Sequence, residues 1–242
     1  MQPQIDVVIA SKNPISFYGE EIVEKALKSI DEQTYQNWRI LLCCYGGDTE
    51  SNNLGKFLKD PGKLLILRAK RQTFTQALNS GIRSSVEKII ARQDLDDWSH
   101  PQRFEKQIKF LLKNPEVKLL GTMAYEYRDG EIIDFERPKP IFKHSAIISK
   151  MAVCNPFVHG SVMFRREAIK EVGFYDETYE KVQDFDLWCR VALKYQVANL
   201  RDRLYYWRNN PNSATMKTWP KSSKIRDEIY NKWEDELRKA RG

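Results

Sequence analysis

The chain has few residues of the kinds that make disulfides or zinc sites. Four cysteines (Cys43, Cys44, Cys154 and Cys189) and three histidines are spread over 242 residues. No two cysteines form a CxxC pair, and no histidine completes a zinc spacing, so neither a zinc site nor a disulfide framework organises the fold. Cys43 and Cys44 lie inside an apolar run and read as core thiols of a reducing compartment. No apolar run approaches the roughly 20 residues needed to span a bilayer. The opening Met1-Gln2-Pro3-Gln4-Ile5-Asp6 lacks a basic region followed by an apolar stretch, so no secretory signal is expected. The expected location is the cytoplasm, with peripheral attachment to the inner face of a membrane left open. Internal repeats and low-complexity tracts are absent as well.

What is present describes one sizeable α/β domain: 41% hydrophobic and 30% charged residues. The formal net charge is +7. The basic residues are dispersed and no nucleic-acid-binding motif accompanies them, so a solvated basic surface is expected and no nucleic-acid partner.

Hydrophobic periodicity predicts a strand over Ile5 to Ala10, a helix over Glu20 to Gln33 and a strand over Trp38 to Cys44. That alternation argues for a parallel sheet with right-handed crossovers, which binds ligands beyond the carboxyl ends of its strands. A short helix at Leu54 to Leu58, a strand at Leu64 to Leu67 and a helix at Thr75 to Ser85 continue it. A fourth strand, Lys88 to Gln93, follows. Pro101 to Lys113 reads as an amphipathic helix, Val117 to Gly121 as a strand, and Asp129-Gly130 as a hairpin turn. Phe142 to Met151 reads as helical and Phe157 to Phe164 as a strand. Glu167 to Val172 and Phe185 to Leu193 read as helices. Val197 to Leu200 and Leu204 to Trp207 read as two strands. Ser222 to Arg241 places Ile225, Ile229, Trp233 and Leu237 at every fourth position, one apolar stripe on a charged helix. The stripe fits docking on the domain itself, with partner or membrane contact as the other reading. The expected division is a domain over 1–215 and a helical tail over 216–242.

The informative stretch is Arg92-Gln93-Asp94-Leu95-Asp96-Asp97, at the end of the fourth strand. Three carboxylates within four residues repel one another and are costly to desolvate, so they call for a cation. In extended backbone Asp94 and Asp96 share one side and can hold one divalent ion; oxygen ligands favour Mg²⁺ or Mn²⁺. Taken alone, the stretch also fits an acidic turn leading into a helix at Asp97-Trp98-Ser99-His100-Pro101.

Several landmarks then fall in order: Gln33-Thr34-Tyr35-Gln36-Asn37-Trp38, Ala77-Leu78-Asn79-Ser80-Gly81-Ile82, the acidic stretch, Pro101-Gln102-Arg103-Phe104, Asn114-Pro115-Glu116-Val117, Gly173-Phe174-Tyr175-Asp176-Glu177 and Gln183-Asp184-Phe185-Asp186-Leu187-Trp188. In this order the chain resembles a family 2 glycosyltransferase over residues 5 to 213. The resemblance implies the GT-A fold: a Rossmann-like, mostly parallel central sheet with flanking helices, here one domain plus a C-terminal helix. It implies inverting transfer of a sugar from a nucleotide diphosphate, UDP most often, to a hydroxyl of a glycan or lipid-linked saccharide. Mn²⁺ or Mg²⁺ would be held by Asp96 and Asp94, and the single general base of inversion would be Asp184. Gln183 stands where Glu is usual, and Asn210 where a metal-binding His is usual. Ala10 and Ser11 replace the usual Pro, while Asn13 matches. Cys44 ends the second strand where a base-reading Asp is usual; Tyr45 is a candidate to stack on the base. The implied donor site comprises Ala10, Ser11, Asn13, Tyr45, Arg71, Asn79, Asp94 and Leu95. The implied acceptor side comprises His159, Gly160 and Trp188. A non-catalytic nucleotide-sugar or glycan-binding module on the same fold is the alternative, and it predicts binding without turnover.

Overall fold

Strand β1, Ile5–Ser11, is buried at every position, the pattern of a strand covered on both faces. Its neighbours β2 (Trp38–Tyr45), β3 (Leu64–Ala69) and β4 (Ile89–Arg92) run parallel to it in the order β3-β2-β1-β4. The computed structural model describes residues 2–69, 72–128, 130–133, 142–209 and 219–240, without the side chains of residues 69 and 219–222.

Beyond β4 the sheet becomes mixed. Strands β5 (Trp98–Ser99), β6 (Val117–Arg128), β7 (Glu131–Ile133), β8 (Met163–Arg165) and β9 (Gln196–Arg208) complete the order β4-β8-β6-β9-β5, with β7 pairing β6 as a hairpin. β8 is antiparallel to both its neighbours, whereas the long β6–β9 ladder is parallel.

Period-two alternation divides the core between the two faces. Val8, Leu41 and Cys43 face α3 (Phe74–Ser84) and α7 (Gln183–Lys194); Val7, Ile40 and Leu42 face α2 (Glu20–Asp31) and α4 (Arg103–Lys113). Helix α3 begins with a capping box in which Thr73 and Gln76 exchange hydrogen bonds. It lies so close to the sheet that a Cβ on Gly81 would stand 2.6 Å from the Cys43 Sγ. Helices α1 (Pro14–Tyr18), α5 (His144–Met151), α6 (Arg166–Glu171) and α8 (Trp219–Lys239) complete the described elements.

Four expectations change. Trp98-Ser99 is a strand and not a helix entry, because its backbone pairs with Tyr205 and Tyr206 while Trp98 stacks on Tyr206 at 5.7 Å. Of the expected Phe157–Phe164 strand only Met163 and Phe164 fall in a strand, the short Met163–Arg165. His159–Ser161 forms a 3-10 turn, in which the Ser161 hydroxyl and amide both donate to the Val158 carbonyl. The two strands expected over 197–207 are one, with register shifts near Arg203 absorbing the charged Arg201-Asp202-Arg203. The segment at 54–58 is a longer 3-10 helix, Ser51–Phe57, and α1 was not anticipated at all.

The apolar stripe of α8 is occupied by the protein itself. Ile229 and Leu237 are fully buried, and Ile225 and Trp233 pack on the same core. This is the docking on the domain itself that the sequence reading puts first, and membrane contact gains no support from it. No described helix is long and apolar enough to cross a membrane. The expected boundary at 215/216 falls outside the described residues.

Candidate active site

The acidic stretch leaves β4 at the carboxyl edge of the sheet, supported by buried polar side chains. Arg92 is 1% exposed, and its Nη2 donates to Asp94 Oδ1 at 2.5 Å. Gln93 faces inward. Its amide nitrogen donates to the Asp97 carbonyl at 3.0 Å, and its oxygen accepts from Ser99 and Arg103. Arg103 also donates to the carbonyls of Arg92 at 2.7 Å and Gly160 at 2.9 Å. One buried guanidinium thus joins the acidic loop to the 3-10 turn.

Gly160 is required by close approach. A Cβ there would stand 1.9 Å from the Tyr205 hydroxyl and 3.0 Å from Asp94 Oδ2. The Tyr205 hydroxyl accepts from the Asp94 amide at 3.3 Å. Asp97 is 4% exposed and accepts from the Arg208 amide at 2.8 Å. The Arg208 side chain donates to the Asp96 carbonyl at 3.2 Å and lies 3.9 Å from its carboxylate.

Three guanidiniums, of Arg92, Arg103 and Arg208, surround the three carboxylates, yet burial outweighs their pull at two of them. Burial first, and Asp94 second, push the Asp96 carboxyl up to about 6, against the pull of Arg208. Burial pushes Asp97 well above the carboxylate range, with Asp96 and Asp94 adding to it. A cation at the loop would return both toward ordinary values. Among the described residues no group of three or more His, Cys, Asp or Glu converges to hold a metal. Two carboxylates fit a hard cation whose other ligands come from water and substrate phosphate, the usual arrangement for Mg²⁺. Asn210, expected as a further ligand, lies outside the described residues.

The side expected to take the nucleotide is built by the loops after β1 and β2. Asn13 holds a left-handed conformation at φ 44°. Its amide donates to Asp48 at 2.8 Å, and its side-chain oxygen accepts from Thr49 at 3.0 Å. Asp48 also accepts from the amides of Glu50 and Ser51, which leaves it a loop organiser and not a base reader. Ala10 and Ser11 are buried at the end of β1. The Ser11 hydroxyl has no partner among the described residues. Tyr45 is partly open at the end of β2 and meets Phe74 edge-on at 6.1 Å. Tyr18 of α1, which the sequence did not flag, feels the charges of Asp96, Asp94 and Asp97; burial first, then these acids, hold its hydroxyl protonated.

Three expected side chains do not reach the cleft. Asn79 is buried, with its amide nitrogen given to Tyr175 and Glu177 and its oxygen to the Tyr175 amide; it pins that loop. Leu95 is 2% exposed in the core beneath the acidic loop, which leaves only its backbone for a donor. Trp188 is fully buried under His159, with ring centroids 6.2 Å apart. His159 itself is partly open, and its Nε2 lies 2.9 Å from the Tyr175 hydroxyl. Burial and the Arg92 charge lower it to about 3, so it is neutral. Arg71 lies outside the described residues.

Asp184 stands in the first turn of α7. Its Oδ2 accepts from Asn155 Nδ2 at 2.8 Å. Burial pushes its carboxyl up to about 6, opposed by backbone amides and Asn155; Asp94 is near enough to add to the rise. The helix is entered through Val182 at φ 59°, a strained conformation for a β-branched residue, costing about 1–3 kcal/mol. Asn155 and Tyr18 were missed because each acts on residues far away in sequence and no local pattern marks them, while Arg92 heads the acidic stretch but was assigned no role.

The model for glycosyl transferase family 2 matches residues 6–173. The chain is 32% identical over 198 residues to the amylovoran biosynthesis glycosyltransferase AmsE of Erwinia amylovora, covering 78% of this chain and 73% of that protein. It is 28% identical over 176 residues to the O-antigen biosynthesis glycosyltransferase WbnJ of Escherichia coli, covering 71% and 67%. Among solved structures, S. aureus TarS 1-349 in complex with UDP-GlcNAc matches with a TM-score of 0.73 at 12% identity, covering 93% of this chain and 65% of that one. The mannosyltransferase PcManGT of Pyrobaculum calidifontis, in complex with GDP-Man and Mn²⁺, matches with a TM-score of 0.63 at 16% identity, covering 90% and 60%. The chain thus spans less than two thirds of either solved chain.

Proposed function

This chain belongs to glycosyl transferase family 2, and from that premise we propose an inverting transfer of sugar from a UDP-sugar to a hydroxyl of a glycan or lipid-linked saccharide. The fold is GT-A and the activity that of a glycosyltransferase. The observation that carries the finer reading is the setting of one carboxylate on a different element from the acidic loop. Asp184 stands in the first turn of α7, partly open, held by Asn155, pushed up to about 6 by burial and near enough to Asp94 to feel its charge. A single base of this kind suits deprotonation of an acceptor hydroxyl on the face opposite the leaving group.

In this reading the donor diphosphate lies against the acidic loop, with Asp96 and Asp94 holding Mn²⁺ or Mg²⁺. The cation would neutralise charge that develops on the leaving diphosphate. Arg92 holds the Asp94 carboxylate, and Arg208 holds the Asp96 carbonyl with its guanidinium 3.9 Å from the Asp96 carboxylate. Tyr45 and Tyr18 border the nucleotide side, and neutral His159 faces the acceptor. The UDP and Mn²⁺ of the structural neighbours support this assignment, as do relatives named for polysaccharide biosynthesis.

Asp184→Asn is the direct test. We expect calorimetric UDP binding to stay within about twofold while transfer from UDP-sugars falls by about 10²-fold or more. Near-normal turnover in this variant would remove Asp184 from the role.

A further inference from the structure

Asp186 lies two residues beyond Asp184 and is fully buried. An ionised carboxylate in such a place requires partners for both oxygens, and it has four donors. Oδ2 accepts from Arg190 Nε at 2.9 Å and Nη2 at 2.8 Å, one turn along α7. Oδ1 accepts from Lys232 Nζ at 2.9 Å and Trp233 Nε1 at 3.0 Å, both on α8. The intervening Phe185 is also held by α8, stacked on Tyr230 with centroids 4.4 Å apart.

Both residues that follow Asp184 are therefore gripped by the C-terminal helix. The grip falls on the first turn of α7, the turn entered through the strained Val182. A strained entry persists only where the surroundings over-determine it, and these contacts do so. Placement of a reacting group is steeply consequential, since a 1 Å error costs about 10²-fold in rate.

We propose that Asp186, through Lys232 and Trp233, is a positioning residue that fixes the first turn of α7 and with it the Asp184 carboxylate. The proposal rests on the reading of Asp184 as general base. Helix α8 is then part of the catalytic apparatus and not an appended tail.

The test uses the full chain carrying Trp233→Phe, which keeps the ring and removes the N–H, or Lys232→Met, which keeps the length and removes the charge. Leu237→Ala is the control: the residue is equally buried on α8 and makes none of these contacts. Carbon-13 NMR follows titration of the Asp184 carboxyl, with Asp184→Asn identifying its signal. Calorimetry follows UDP, and kcat and KM are measured with UDP-GlcNAc as probe donor. In both latch variants we expect the Asp184 midpoint to move by about half a unit or more, UDP affinity to hold within about twofold, and kcat to fall by about tenfold. Leu237→Ala should lower Tm and leave the midpoint in place, and Lys232→Arg should restore it. An unmoved midpoint in both latch variants, or an equal movement in Leu237→Ala, overturns the proposal. If Asp184→Asn retained turnover, the base assignment would fail on its own, and the NMR titration would still decide whether the latch positions the carboxylate.

Discussion

Protonation of Asp184 removes its capacity to accept a proton, and burial places that event near pH 6. The expected profile of kcat/KM therefore rises as pH increases through about 6 and is level above it. A limb near the ordinary carboxylate value of about 4 would contradict the buried setting. The same shift has a stability side. The folded pKa lies above the unfolded one, so this contribution to stability is fully present below about pH 4, is lost as pH rises to about 6 and stays lost above it, by at most about 3 kcal/mol for a shift of roughly two units. Asp184→Asn should unfold at or above the parent's Tm at pH 7.5 while losing activity, the usual sign of a residue kept for chemistry. The acidic stretch alone also fitted a turn leading into a helix, and only its place in the order of the other landmarks made it informative. Asn79, Leu95 and Trp188 were misplaced for a common cause. A motif gives chain position, but whether a side chain faces cleft or core depends on which loop packs behind it, as Tyr175 does behind Asn79.

Among the elements, α8 tests the expected division of the chain. Its sequence shows a stripe of every fourth residue, and that pattern alone fits a membrane, a partner or the domain itself. The choice was made by an apolar face of α5 and α7 that no local sequence reveals. Ile229 is fully buried in that junction, so Ile229→Ala should cost about 2–5 kcal/mol, lowering Tm by about 5–15 °C. Arg238→Ala, on the exposed face, should change stability by less than about 1 kcal/mol. Thermal unfolding decides the matter. A separate tail would leave the main transition unmoved by Ile229→Ala. The strands of the parallel half were read within a residue or two, since continuous apolar runs end sharply at Gly and Asp. The mixed half was less legible: β5 has only two residues, and β9 carries a charged triplet through a bulge that reads as a break.

For the whole molecule, the sheet gathers the parts of the site from distant positions. The loop after β1, the loop after β2, the acidic stretch and the α7 entry all meet at one edge because the first four strands run parallel. The acidic loop that results has three carboxylates among the guanidiniums of Arg92, Arg103 and Arg208, with Asp96 pushed upward by burial and Asp94, and Asp97 by burial, Asp96 and Asp94. That balance favours a divalent cation arriving with a diphosphate, which supplies the oxygen ligands the two carboxylates leave open. UDP binding is therefore expected to tighten about tenfold or more when Mn²⁺ replaces chelator, and Asp96→Ala to abolish most of that gain. In Asp184→Asn the Mn²⁺ dependence should persist, because the proposed mechanism assigns that carboxylate to the acceptor side. Titration of UDP into the three proteins, with Mn²⁺ and with chelator, separates the two groups of acids. Equal UDP affinity in both conditions would mean that the arginines and backbone meet the diphosphate without metal, and Asp94 and Asp96 would then act on the sugar or ribose hydroxyls as acceptors.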